Sequence, residues 1–170
     1  DTDTTRLANV KLPATGWSEK DGTVTNSERR ISRQRSLFPK AGNAQHDWWI
    51  INEVAKRMGF ESGFSHKNQA EIFREHAALS AFENSTTDGH RLRDFDLANL
   101  QTLSDQDYET LNPIQWPVNS EFPEGRERFF AQGGFFTPNR KANLLALTPK
   151  LPINPPSNDY PLRLNTGRIR

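Results

Sequence analysis

Asp21-Gly22-Thr23-Val24-Thr25-Asn26-Ser27-Glu28-Arg29-Arg30 is the stretch on which the reading of this chain turns, because turn-forming, capping and charged residues crowd there without forming a solvated helix. Asp21-Gly22 signals a turn: glycine reaches positive φ at little steric cost, and aspartate bonds its own backbone. Val24 between two threonines is a short β-like step, after which Asn26 or Ser27 offers an acceptor to backbone N–H groups. Glu28-Arg29-Arg30 then sets one carboxylate beside two guanidiniums. Adjacent arginines are costly unless something anionic or carbonyl-rich faces them. The reading is therefore a fixed loop in which Glu28 pairs with Arg29 or Arg30 and the other guanidinium meets backbone carbonyls or a neighbouring domain. The plainer alternative is a surface turn followed by a basic strand.

Outward from this loop, Ile31-Ser32-Arg33-Gln34-Arg35 alternates as a strand with one wet or partner-facing side. Upstream, Val10 and Leu12 alternate as a short strand that Pro13 ends, since proline donates no ladder bond. Asp47 to Met58 predicts a helix with Asp47 as N-cap, Trp48, Ile51, Ala55 and Met58 on one stripe, Lys56 and Arg57 in the last turn, and Gly59 at the exit. Asn68 opens a second helix to about Phe82, with Ile72, Phe73, Leu79 and Phe82 at helical spacing. His76 on that helix has no ligand-spaced partner on its face and reads as a surface histidine.

From Glu83 to Asn112 the chain is polar and punctuated. Leu92, Phe95, Leu97 and Leu100 suit one amphipathic turn, and Ser104 caps another through Tyr108 to Leu111. Residues 134–144 read as two short strands around a Pro-Asn turn, and Leu162 and Leu164 alternate in a last strand. That strand ends in Thr166, Gly167 and Arg168, a hydroxyl, a bare backbone N–H and a guanidinium that suit an anionic edge such as a pyrophosphate. The same residues also suit an ordinary strand-to-turn exit.

Composition narrows the function classes. The 170 residues are 34% hydrophobic, with mean hydropathy −0.82 and 11 prolines beside 10 glycines, which predicts a loop-rich, thinly cored chain with its stability in the two helices. Twenty-two basic residues against 21 acidic leave a net charge of +1, so no global field points to nucleic acid or an anionic membrane. No apolar run approaches membrane-spanning length and no leader pattern opens the sequence, so the piece is expected to be soluble. Without cysteine there is no disulfide framework, thiolate nucleophile or cysteine-ligated cluster in these residues.

Leu7 to Pro13 followed by Gly16 to Arg30 resembles a segment of the molybdopterin oxidoreductases, the catalytic subunits of nitrate reductases and formate dehydrogenases. The resemblance continues through Asp47 to Gly59, Ala70 to Leu79, Gln115-Trp116-Pro117, Phe135 to Ala142 and Tyr160 to Arg168. The helix Ala70 to Leu79 is similar to that of assimilatory nitrate reductases in particular. The resemblance implies an α/β fold class: the end of a Rossmann-like domain over residues 1–112, a connector with short strands over 113–158, and over 159–170 the first strand of a double-psi β-barrel. It implies nitrate reduction to nitrite by oxygen-atom transfer at a molybdenum bis(molybdopterin guanine dinucleotide) centre, with a 4Fe-4S cluster, in the cytoplasm. Thr166, Gly167 and Arg168 would contact the pterin dinucleotide, while the ligands of metal and cluster lie elsewhere and these residues alone would not catalyse. The implied partners are the remainder of the catalytic subunit, and an electron-donor subunit or ferredoxin or flavodoxin. The alternatives are a formate dehydrogenase segment and a non-enzymatic interaction module using the surface of Arg29 to Arg35.

Overall fold

Thr2 and Thr5 cap each other reciprocally, and this capping box starts a one-turn helix, α1 (Asp3–Leu7), where the sequence suggests only extended chain. The computed structural model describes residues 2–84, 86–87, 90–165 and 167, and divides into two compact units, residues 1–127 and 128–170. The expected strand at Val10 and Leu12 does not form. Both side chains are exposed, and the backbone makes a single parallel bridge between Ala14 and Gln45. With no neighbouring strand on offer, alternation alone leaves the segment extended and unpaired.

The first unit is built on a three-stranded antiparallel sheet in the order β1 (Gly22–Thr25), β2 (Arg30–Gln34), β5 (Ile114–Gln115). β1 and β2 pair Thr25 with Ile31 and Val24 with Ser32, and β5 reaches back across the chain to set Ile114 against Ile31. A two-stranded ribbon, β3 (Thr86–Thr87) and β4 (His90–Arg91), stands apart. The helices are α2 (Asp47–Arg57), α3 (Gln69–Ala81) and α4 (Asp105–Glu109).

Asn68 caps α3 by accepting from the Glu71 N–H, and Ser104 caps α4 in a capping box with Asp107, both as the sequence indicates. In α2 the cap is His46, one residue earlier than expected. Asp47 stands inside the first turn, where its carboxylate meets the positive helix end and pairs with Lys20 at 2.5 Å.

The core gathers Ile31, Ala70, Phe73, Ala77, Leu97, Leu100, Tyr108 and Val118, with Phe95, Leu103, Leu111, Ile114 and Trp116 packed against it. Half of those eight residues come from 97–118, which corrects the expectation that stability resides in the two longer helices. The small side chains Ala70 and Ala77 let α3 approach closely, and Phe73 packs on the Tyr108 ring at 5.3 Å. Helix α2 buries only Asn52 and Ala55, while Trp49, Ile51, Val54 and Met58 remain exposed. Its apolar stripe is therefore only partly covered: Ala55 and Trp48 turn toward the fold, while Ile51 and Met58 stay exposed.

The loop 92–103 is tied in by polar bonds. Asp96 is fully buried and accepts from Asn84 Nδ2 at 3.2 Å, Asn119 Nδ2 at 3.3 Å and the Ala98 N–H at 2.9 Å. Ser80 Oγ, at the end of α3, accepts the Leu97 N–H at 2.8 Å. Such bonds let a buried carboxylate and a loop backbone leave water without orphaned groups.

The second unit, 128–170, is mostly turns and extended chain. The strands expected over 134–144 are replaced by a turn in which Phe135 N–H bonds Arg140 O at 3.2 Å and Arg140 N–H bonds Thr137 O at 3.0 Å. Stacked Phe130 and Phe135 rings 4.6 Å apart hold that turn, and Arg140 at φ +58 reverses it. Residues 141–165 are exposed throughout, Leu162 and Leu164 at 89% each, and carry no strand.

Candidate functional site

The loop between β1 and β2 is a hairpin connection of three residues, Ser27 to Arg29. Arg29 N–H bonds Asn26 O at 3.0 Å, and Asn26 N–H bonds Arg30 O at 3.1 Å. Asn26 Oδ1 accepts from the N–H groups of Glu28 at 2.9 Å and Arg30 at 3.0 Å. A loop of this length ends in one residue of left-handed conformation, ordinarily glycine. Arg29 holds that place at φ +70.

The guanidinium explains an arginine at a position that suits glycine better. Its Nη1 donates to Trp116 O, and Nη2 donates to Arg126 O and Glu127 O at 3.0 Å each. Its plane lies over the Trp116 ring, 5.3 Å from the centroid. Gln115 Nε2 returns a bond to Glu28 O at 2.9 Å. Burial and the nearby Arg126 charge hold Arg29's pKa below the ordinary arginine value, as expected of a cation directed at neutral carbonyls. The expectation that one guanidinium meets backbone carbonyls thus holds, and the loop is anchored rather than solvated.

Next to it, Arg33 is the charged centre of the unit, its side chain only 2% exposed. It pairs with Asp21 at 2.9 Å and Glu109 at 2.7 Å, donates to Gly22 O and, at 3.1 Å, to Gln34 O, and covers the Tyr108 ring at 4.2 Å. Burial works against its charge, but the bonds to Asp21 and Glu109 overcome it and raise the pKa. Glu109 also accepts from Arg35 Nε at 3.0 Å, and the two guanidiniums hold its carboxyl below the usual carboxylate range. Burial pushes the Tyr108 hydroxyl up.

These groups line a polar cleft of about 350 Å³ together with His46, Asn68 and Asp105. His46 Nδ1 lies 3.2 Å from Thr15 Oγ1, and its pKa is lowered, mostly by burial and secondarily by Lys40. The charges of Asp21, Arg33 and Glu109 are spent on one another, so the cluster locks β2 to α4 rather than presenting an acid, base or nucleophile. Sequence reasoning did not find it. Arg33 and Arg35 are visible as a basic alternation, but nothing local announces Glu109, 76 and 74 positions away.

Of the three residues expected to meet a cofactor, Thr166 and Arg168 lie outside the described residues. Gly167 is exposed, and among the described residues nothing stands within 4 Å of where a Cβ would be, which leaves its backbone open to close approach. Among the described residues no group of three or more His, Cys, Asp or Glu is placed to hold a metal ion. No described helix is long and apolar enough to cross a membrane.

Comparison with known proteins supplies the class. Residues 1–57 match the family model described as molybdopterin oxidoreductase, and similarity to nitrate reductases runs the length of the chain. It is 44% identical over 171 residues to a nitrate reductase of Klebsiella oxytoca and 46% identical over 175 residues to one of Shewanella frigidimarina, covering 100% of this chain and 18% of each relative. The F420-dependent formate dehydrogenase subunit alpha of Methanocaldococcus jannaschii is 31% identical over 99% of the chain and 22% of its own length. The chain thus spans about a fifth of the length of the curated relatives it matches. A solved structure, acetylene hydratase from Pelobacter acetylenicus, superposes with a TM-score of 0.41 at 21% identity, over 76% of this chain and 14% of the other.

Proposed function

We propose that the chain is part of the catalytic subunit of a molybdenum-dependent nitrate reductase of the assimilatory kind, which reduces nitrate to nitrite by oxygen-atom transfer at a bis(molybdopterin guanine dinucleotide) centre. The observation that carries this reading is the similarity to nitrate reductases at 44% and 46% identity across the entire chain. When bound, the molybdenum centre supplies the two-electron oxygen chemistry. The residues of this chain hold their own framework: Arg29 secures the β1–β2 loop to the backbone after β5, and Arg33 secures β2 to α4. In this reading residues 1–112 close a Rossmann-like domain, 113–158 connect, and 159–170 open a double-psi β-barrel. Electrons come through a 4Fe-4S cluster from a donor subunit, ferredoxin or flavodoxin in the cytoplasm.

Thr166, Gly167 and Arg168 contact the pterin dinucleotide in this scheme, the open backbone at Gly167 admitting an anionic edge. In the full-length enzyme, Gly167→Val and Arg168→Ala should both lower molybdenum and pterin content. The loss for Arg168 corresponds to about 1.5–3 kcal/mol of contact. Full loading of both variants would remove these residues from the cofactor site. Formate oxidation is the second reading, favoured by the formate dehydrogenase relative that covers 99% of the chain. The purified full-length enzyme decides between them. Nitrate-dependent oxidation of reduced viologen is expected, and formate-dependent reduction of viologen without nitrate turnover would overturn the assignment.

A further inference from the structure

Among the described residues the outer edge of β1 is unpaired, and it borders a largely apolar cleft. Asn26 N–H bonds Arg30 O, and the register runs Val24 to Ser32 and Thr25 to Ile31. Antiparallel alternation therefore turns the backbone groups of Gly22 and Val24 toward β2, and those of Thr23 and Thr25 away from it. No strand lies on that outer side among the described residues, β1 being the end of the sheet order. Gly22 to Thr25 carries none of the charges or prolines with which sheet edges are usually blunted.

Thr23 borders a cleft of about 220 Å³ whose walls are Trp48, Ile72, Phe73, His76 and Tyr108. Trp48, one of these walls, has its Nε1 buried with no hydrogen-bond partner among the described residues, an arrangement that costs stability. An unpaired strand edge and an apolar slot the size of one or two side chains beside it are together complementary to an extended peptide. Main-chain bonds would run along the edge and one apolar side chain would enter the slot.

We infer that the β1 edge and the Trp48 cleft form a strand-docking site, filled by an extended segment of the same catalytic subunit from outside these 170 residues. This rests on the reading of the chain as part of such a subunit, whose relatives are some five times longer, as the 18% coverage implies. Among the described residues the one carboxylate on the slot walls, Asp21, is paired with Arg33, which suits an uncharged apolar segment rather than an acidic or basic tail.

The test uses the full-length protein. Hydrogen exchange of the peptide 22–26 should show the Thr23 and Thr25 amides slowed roughly 100-fold or more relative to unstructured chain, as paired strand amides are. Exchange of these two at nearly unstructured rates, with Val24 still protected by β2, would overturn the proposal. Thr25→Pro removes one outward N–H and adds bulk on that side, so it should lower Tm by several degrees if the edge is paired. Unchanged Tm counts against pairing. A photo-crosslinking residue in place of Thr23 should join to another segment of the same subunit; a crosslink to a second copy or to a different protein would overturn the choice of occupant. Nitrate and formate assays on the same preparation separate the readings: a formate enzyme with protected Thr25 keeps the docking site and loses the substrate, and a nitrate enzyme with unprotected Thr25 does the reverse.

Discussion

Arg29 stands at φ +70, where an L residue with a Cβ is strained, and it is kept there by three carbonyl contacts on residues 116, 126 and 127. Two substitutions separate these opposing terms. Arg29→Ala loses the guanidinium and keeps the strain, and should destabilise by about 2–3 kcal/mol. Arg29→Gly loses the same bonds but relaxes the backbone, so it should recover about 1 kcal/mol of that. Urea midpoints of the two variants measure the difference, and an equal loss in both would mean that the backbone conformation is not strained. His46 gives a pH-dependent counterpart. Its folded pKa is lowered from 6.5, chiefly by burial, so the unfolded chain binds the proton more readily. Its contribution is complete above about 6.5 and is lost as pH falls from there toward the lowered native value. His46→Gln should flatten the stability profile just below about pH 6.5. Asp47, Asp105 and Glu109 have depressed values and act at more acid pH, outside that window. At this scale the crowding of Asn26, Glu28 and Arg29 was legible as an anchored loop. The carbonyl partners were not, because they arrive from distant chain and nothing in their own residue types marks them.

At the scale of elements, the caps of α3 and α4 and the strand β2 could be read directly, since each depends on residues within one turn or one alternation. Which helix faces became core could not. The stripe on α2 is as regular as that on α3, but α3 combines Phe73 with Ala70 and Ala77 in the core beside Leu97 and Leu100, whereas α2 buries only Asn52 and Ala55. Leu97 is fully buried, so Leu97→Ala should cost about 2–5 kcal/mol. Ile51 is exposed in this chain, so Ile51→Ala should change its stability by less than about 0.5 kcal/mol. Denaturation of both variants checks the assignment of core faces, and a comparable loss at Ile51 would show that α2 is packed after all. The same Ile51 substitution made in the full-length subunit is expected to cost more, since an uncovered apolar stripe of this kind marks a contact surface.

The molecule as a whole divides unevenly between a cored unit and an extended one. Residues 141–165 are exposed along their length, so trypsin should cut this chain first after Lys141, Lys150 or Arg163 and leave residues 1–127 largely intact, with mass spectrometry of the early products as the readout. Early cleavage throughout 22–118 would contradict the placement of the core. Low hydrophobic content and abundant proline made the thin second unit legible from composition, whereas the extent of the first was hidden because its sheet is completed by Ile114 and Gln115. That closure carries a kinetic consequence. The central strand waits for a partner that appears far later in the chain, and the Arg29 clamp waits for carbonyls 87 to 98 positions downstream. Contacts of such separation repay their loop entropy only when they close, which places the first unit among slowly folding, high-contact-order structures. On a ribosome, the β1–β2 hairpin would emerge early and stay provisional until the backbone through Glu127 had left the tunnel, so a nascent chain arrested before Ile114 should remain protease-sensitive throughout while one arrested well beyond Glu127 should not.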